Sequence, residues 1–138
     1  MKVIVFALEN KEYGIEVERV RTIERPMPIT RVPNTSDFVK GVANMRGVIV
    51  PIISLRRMFG LEDTGMTSQT RIIVVAFNGM EVGIFVDSAN DVMDIDPDDI
   101  YAPAELVGRV ESKYLRGVTN IGNGRLLVML DVEQLLKN

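Results

Sequence analysis

Apolar and polar positions alternate along most of this chain with a period of two. Val3–Leu8 and Tyr13–Val17 are short apolar runs around the polar turn Glu9-Asn10-Lys11, which predicts two strands. Val20–Arg25 sets Val20, Thr22 and Glu24 against Arg21, Ile23 and Arg25, so a half-exposed strand is expected. Pro26 and Pro28 end it, because proline cannot donate to a sheet ladder. Asn34-Thr35-Ser36-Asp37 reads as a turn or a helix cap. Phe38–Met45 and Val48–Ile53 are then expected to form a hairpin across Arg46-Gly47, where glycine permits a positive φ. Ser54 is placed to cap a short helix, Leu55–Phe59, which Gly60 stops. Polar Glu62–Gln69, with Gly65, reads as a link. Beyond it come strands Arg71–Phe77 and Glu81–Val86 around Asn78-Gly79, then an irregular stretch, Ile95–Leu106. A second hairpin, Leu115–Ile121 with Arg125–Leu130, turns at Gly122-Asn123-Gly124. Asp131 and Gln134 have capping-box spacing and predict a last helix, Val132–Leu136.

The pattern occurs twice, in the same order. Val3–Leu8 and Tyr13-Gly14-Ile15-Glu16-Val17 match Ile72–Phe77 and Val82-Gly83-Ile84-Phe85-Val86. Gly41-Val42-Ala43-Asn44 matches Gly117-Val118-Thr119-Asn120, and each half ends in a short amphipathic segment. A period of roughly seventy residues is a small module's length of chain. The expectation is an all-β chain of two five-stranded barrels with short helical turns at the ends of the halves. The halves run over about 1–62 and 70–138 within a single domain of 138 residues, and strands are free to cross between them.

Composition narrows the chemistry. A hydrophobic content of 46% supports a core and argues against disorder. The net charge of −3, with three Tyr, five Phe and no Trp, offers little to nucleic acid or to an acidic membrane. The absence of Cys and His removes disulfides, thiol chemistry and the commonest general base and metal ligand. Enzyme chemistry would rest on carboxylates or lysines, and no paired-carboxylate site or phosphate loop stands out; Gly122-Asn123-Gly124 reads as a hairpin turn. No signal-peptide core or membrane span is read, so a cytoplasmic protein is expected, and the sequon Asn34-Thr35-Ser36 carries no weight. Asp94, Asp96, Asp98 and Glu105 have the spacing of a calcium loop. Asp99 replaces the required glycine and Pro97 and Pro103 disturb the loop, so Asp96 is read as capping a helical turn that begins with Pro97, and no metal or cofactor is expected.

The block Phe38-Val39-Lys40-Gly41-Val42-Ala43-Asn44-Met45-Arg46-Gly47-Val48-Ile49-Val50-Pro51-Ile52-Ile53-Ser54-Leu55-Arg56 resembles the signature of the CheW family of chemotaxis coupling proteins. The resemblance extends to Tyr13-Gly14-Ile15, Ile29–Asn34, Val82–Asp87, Tyr114–Gly117 and Asp131–Leu136, nearly the whole chain. It implies two SH3-like barrels packed together and a non-catalytic adaptor joining the cytoplasmic tip of chemoreceptors to the histidine kinase CheA through that kinase's own CheW-like domain. It also implies a protein that is monomeric when free, lacks any membrane insertion of its own, and is recruited to receptor arrays through its partners. The alternatives are a small-ligand or enzymatic barrel, or a CheW-like adaptor in a non-motility pathway. The chain departs from the family at Thr22 and Ser54, where a carboxylate is common.

The resemblance makes Val20, Ile23, Val42, Asn44, Arg46 and Val92 the candidate receptor-binding residues, lining a groove between the barrels. The kinase-binding residues are not readable beyond exposed apolar strand edges at the barrel ends. Gly41, Gly47 and Glu24 are the motif residues. Glu24 is the expected partner of Arg46 because Thr22 carries no charge. Core burial competes with a partner-facing role for each valine. Asn44 and Asn120 are expected to bond turn backbone, and Gly41 and Gly117 to mark close backbone approach.

Overall fold

The computed structural model describes residues 1–102 and 113–137. Glu105 and Pro103 of the calcium-loop reading, and most of the end of the irregular stretch, lie outside the described residues. The strands are β1 (Lys2–Leu8), β2 (Lys11–Glu16), β3 (Val20–Glu24), β4 (Val39–Met45), β5 (Val48–Ser54), β6 (Arg71–Phe77), β7 (Met80–Val86), β8 (Ser88–Asp94), β9 (Leu115–Asn120) and β10 (Leu126–Leu130). Helix α1 (Leu55–Met58) follows β5, and α2 (Val132–Leu136) follows β10. Both helices start as the caps require: the Ser54 hydroxyl accepts from the Arg57 amide at 3.3 Å and the Asp131 carboxylate from the Gln134 amide at 3.2 Å.

Two five-stranded sheets result, in the orders β8-β1-β2-β10-β9 and β3-β6-β7-β5-β4. These are the two SH3-like barrels, here barrel A and barrel B. They cut across the halves of the sequence. Barrel A joins β1 and β2 of the first half to β8, β9 and β10 of the second, while barrel B joins β3, β4 and β5 to β6 and β7. The chain crosses from A to B through the 3-10 turn Val17–Arg19, and back from B to A at Asp87.

Strand β8 was not legible in the alternation, because Ser88-Ala89-Asn90-Asp91-Val92-Met93-Asp94 has few apolar positions. It is the repeat counterpart of β3. Ile23 pairs with Ile73, and Val92 pairs with Ile4, the residue that matches Ile73 in the repeat. Both strands also skip one residue of register, between Val20 and Thr22 and between Ala89 and Asp91. The extra residue corrects the phase expected for β3. Val20 pairs with Val75 and Thr22 with Val74, so Val20 shares a face with Ile23 rather than with Thr22 and Glu24.

The core has three parts. Val3, Val5, Leu127 and Met129 fill barrel A, and Ala43, Val50, Ile52, Ile72 and Val74 fill barrel B. The third part is shared: Ile4, Phe6, Tyr13 and Ile15 of barrel A meet Ile53, Ile73, Val75 and Ile84 of barrel B, and Leu55, Met58, Val132 and Leu135 of the two helices close it. The Tyr13 ring bridges Phe6 and Phe59, with centroids 5.6 and 5.7 Å away. The amphipathic segments that end each half therefore join the barrels to each other.

Candidate functional site

Ile23 and Val92 stand on β3 and β8, the strands at one edge of each sheet. Directly opposed residues share a face, and their partners Ile73 and Ile4 belong to the shared core. Val20 and Ala89, their neighbours on the same face, pack against that core. Ile23 and Val92 continue the apolar face into solvent, at 41% and 54% exposure. Sequence and repeat thus place one exposed aliphatic residue on each edge, each on the side of its strand that faces the shared core.

The other candidates lie on β4 and its turn. Val42 is half-buried opposite Pro51, and its backbone exchanges two hydrogen bonds with Thr30 at 2.8 and 2.9 Å. Gly41 makes that bridge possible: a Cβ there would lie 2.8 Å from the Thr30 carbonyl carbon and closer still to its oxygen, at φ +143°. The second half repeats the device, with Gly117 at φ +150° beneath the Tyr101 carbonyl. Asn44 accepts from the Gly47 amide at 2.9 Å, and Asn120 from the Gly122 amide at 2.8 Å, so both asparagines tie down their turns.

Arg46 and Gly47 both have positive φ, +55° and +86°, which is the two-residue turn whose twist suits a hairpin. The turn presents Arg46 at 79% side-chain exposure, and its Nη2 lies 3.5 Å from Glu24 Oε2. Glu24 pairs with Ile72, so it sits on the barrel B face of β3, and the contact links the β4–β5 turn to β3. Glu24 and Arg46 are thereby brought together, on the face of β3 opposite to Val20 and Ile23; Val42 and Asn44 lie further along β4, and Val92 belongs to the other barrel.

Two features escaped the sequence reading. The first is a largely covered, multiply bonded arginine. Arg56 of α1, 11% exposed at its side chain, donates to Asp87 twice, at 2.8 and 2.7 Å, to Glu9 at 2.8 Å, and to the Glu62 carbonyl at 3.0 Å. Asp87 also accepts from the Glu9 amide at 2.9 Å. Hydrogen bonding from Arg56 holds the Asp87 carboxyl below the usual carboxylate range, and the same pairing raises the Arg56 guanidinium. Only its place at the end of the family block pointed to it. The second is at Ser54, where a carboxylate is common in the family. Its hydroxyl donates to Asp63 at 2.9 Å, and Asp63 accepts from Arg57 at 2.6 Å, so a linker residue brings a carboxylate to this site.

Asp96 caps a 3-10 turn, Pro97–Asp99, by accepting from the Asp98 amide at 2.9 Å. A concavity of about 570 Å³ opens among residues 29–40, Arg57 and Asp63, and none of the candidate residues lines it. Among the described residues, no helix is long and apolar enough to cross a membrane.

Comparison with known proteins agrees with this geometry. The model of the CheW-like domain matches residues 2–138. A chemotaxis protein CheW of Klebsiella aerogenes is 39% identical over 135 residues, which is 98% of this chain and 81% of that protein. The Bacillus subtilis protein of the same name is 38% identical, covering 98% of this chain and 86% of its own length. The crystal structure of the scaffolding protein TtCheW from Thermoanaerobacter tengcongensis superposes with a TM-score of 0.85 at 29% identity, over 95% of this chain and 84% of that one. This chain belongs to the CheW-like domain family, and it is a chemotaxis scaffold rather than an enzyme.

Proposed function

We propose that this protein couples chemoreceptors to the histidine kinase CheA in the cytoplasm, holding both at the membrane-bound array without a cofactor. The observation that carries the receptor half of this reading is the pair Ile23 and Val92. Equivalent in the repeat, both extend the shared core's face into solvent. An apolar seam of this kind suits the amphipathic face of a helical receptor tip. Val20 shares the face of Ile23, and the reading adds Val42, Asn44 and Arg46, the last held by Glu24, as contacts from β4 and its turn.

The kinase half rests on the opposite sort of surface, the hairpin ends. Val48 and Ile49 of barrel B are 55% and 60% exposed, and Leu126 of barrel A is 52% exposed. Ile49 and Leu126 are again equivalent, since they pair with Asn44 and Asn120. Such small apolar ends suit a barrel-on-barrel contact of about 1,200 Å² or less.

Calorimetry against a soluble receptor-tip fragment and against the isolated CheW-like domain of the kinase tests both halves. Ile23→Asp and Val92→Asp should each weaken receptor binding at least tenfold while leaving the melting temperature and kinase binding nearly unchanged. Ile49→Asp should do the reverse. An unaltered protein that binds neither cognate partner near 100 µM, a concentration at which even weak interfaces of this size are occupied, would refute the coupling function.

A further inference from the structure

The chain passes between the barrels twice, and the two passages are repeat equivalents, Val17-Glu18-Arg19 and Val86-Asp87-Ser88. Their side chains are treated differently. At the first, Glu18 is exposed and Arg19 lies 4.7 Å over the Phe77 ring. At the second, Asp87 is gripped by Arg56 from barrel B and by the Glu9 amide from the β1–β2 turn of barrel A. The Asp87 amide also donates to the Ala7 carbonyl at 3.0 Å. The position equivalent to Arg56, second in its helix, is Glu133, which pairs instead with Lys137 at 3.1 Å. Among the described residues, the fastening therefore exists at one of the two passages only.

We infer that Arg56 is a positioning residue, a latch that sets the angle between the barrels and, through Asp87, the position of β8. The guanidinium joins four chain segments: α1, the β7–β8 passage, the β1–β2 turn and the linker carbonyl of Glu62. A lysine keeps the charge but has a single nitrogen and cannot span these acceptors. Strand β8 begins one residue after Asp87 and carries Val92, so a loosened latch displaces one wall of the seam. The hairpin ends at Ile49 and Leu126 each lie within one barrel and do not depend on that angle. The functional consequence rests on the proposed coupling role; the latch itself does not.

The chain has no cysteine, so spin labels can be placed freely. Labels at Lys11→Cys in barrel A and Met80→Cys in barrel B, both exposed, report the distance between barrels by double electron–electron resonance. Arg56→Lys should broaden or shift that distribution, and should weaken binding of the receptor-tip fragment five- to twentyfold while changing affinity for the kinase domain less than twofold. Arg125→Lys is the control: it breaks an equally tight bidentate pair, with Glu12, that lies wholly in barrel A, and should change neither readout. If Arg56→Lys folds poorly, Asp87→Asn removes the charge the latch grips and should give the same broadening. An unchanged distance distribution in the folded Arg56 or Asp87 variant overturns the latch, as does an equal change in Arg125→Lys. If the unaltered protein binds no receptor, the coupling role fails, and the distances alone decide the latch.

Discussion

Replacing Gly41 by alanine separates two reasons for keeping a glycine. At φ +143° an L-residue is strained, by about 1–3 kcal/mol. The added Cβ would also collide with the Thr30 carbonyl, a backbone group held by two hydrogen bonds of 2.8 and 2.9 Å to Val42. The clash is relieved by opening that bridge, at about 0.5–1.5 kcal/mol per bond. The expected loss is about 2–6 kcal/mol, which at roughly 4 °C per kcal/mol lowers the melting temperature by about 8–24 °C. Gly47 provides the comparison: its φ is +86°, but nothing lies within 4 Å of a Cβ there. Gly47→Ala should cost only the backbone term, about 1–2 kcal/mol. Urea unfolding monitored by circular dichroism measures both, and Gly117→Ala should behave like Gly41→Ala because Tyr101 stands over it as Thr30 does over Gly41. Equal losses at positions 41 and 47 would refute the reasoning, since φ alone would then account for both.

Asp87 has its carboxyl pKa lowered chiefly by the hydrogen bonds from Arg56, so the contribution is fully present above the unfolded value of about 3.9 and is lost as pH falls through the folded value. Melting curves of the unaltered protein and Asp87→Asn should therefore differ at pH 7 and converge below about pH 4; a constant gap would show that the charge is not what matters. Ile53→Ala, in the core shared by both barrels, should cost about 2–5 kcal/mol and leave a single unfolding transition by calorimetry; two separate transitions would mean that the barrels melt independently. Arg46→Ala and Glu24→Ala should each change stability by no more than about 1 kcal/mol, because Arg46 is exposed and the contact is long at 3.5 Å, yet each should reduce receptor-stimulated kinase activity. The double variant should be no worse than the worse single, and additive losses in activity would dismiss the pairing.

The hairpins, both caps and the repeat were legible because each depends on local chemistry. Arg46-Gly47 and Asn78-Gly79 encode their turns, Ser54 and Asp131 their helices, and Gly41 and Gly117 their close approaches. What failed to show was non-local. The skipped register in β3 carries no signal in Val20-Arg21-Thr22, yet it decides which side chains lie on the face of the shared core. Strand β8 is too polar to announce itself and pairs with β1, more than eighty residues earlier, as its partners Ser88 and Ala7 show. The repeat was the available clue, since a second module without a counterpart of β3 would lack its edge strand. Arg56 was hidden for a different reason. An arginine in an amphipathic turn reads as solvated surface, and only the arrival of Glu9, Glu62 and Asp87 from three other segments ties it down.

The positions the repeat preserves and those it abandons divide in part by physical role. Preserved are residues that shape the backbone or fill the interior: Gly14 and Gly83, where a Cβ would press on Met129 or Ile52, Gly41 and Gly117, Asn44 and Asn120, Ile4 and Ile73. Some charges recur as well, Lys2 with Arg71, Glu12 with Glu81 and Lys40 with Arg116, but those at the helix starts and at one hairpin turn do not. Arg56 faces Glu133 in the alignment of the halves, Ser54 faces Asp131, and the Arg46-Gly47 turn is replaced by the uncharged Gly122-Asn123-Gly124. A scaffold built from two like modules meets a particular difficulty, because any partner that fits one module tends to fit the other. Discrimination then has to come from differences in charge on a common shape, since a mismatched or unpaired charge disfavours the wrong partner more strongly than a small change in apolar area. The shared backbone supplies two similar apolar edges and two similar hairpin ends, and the unrepeated charges make each of them distinct.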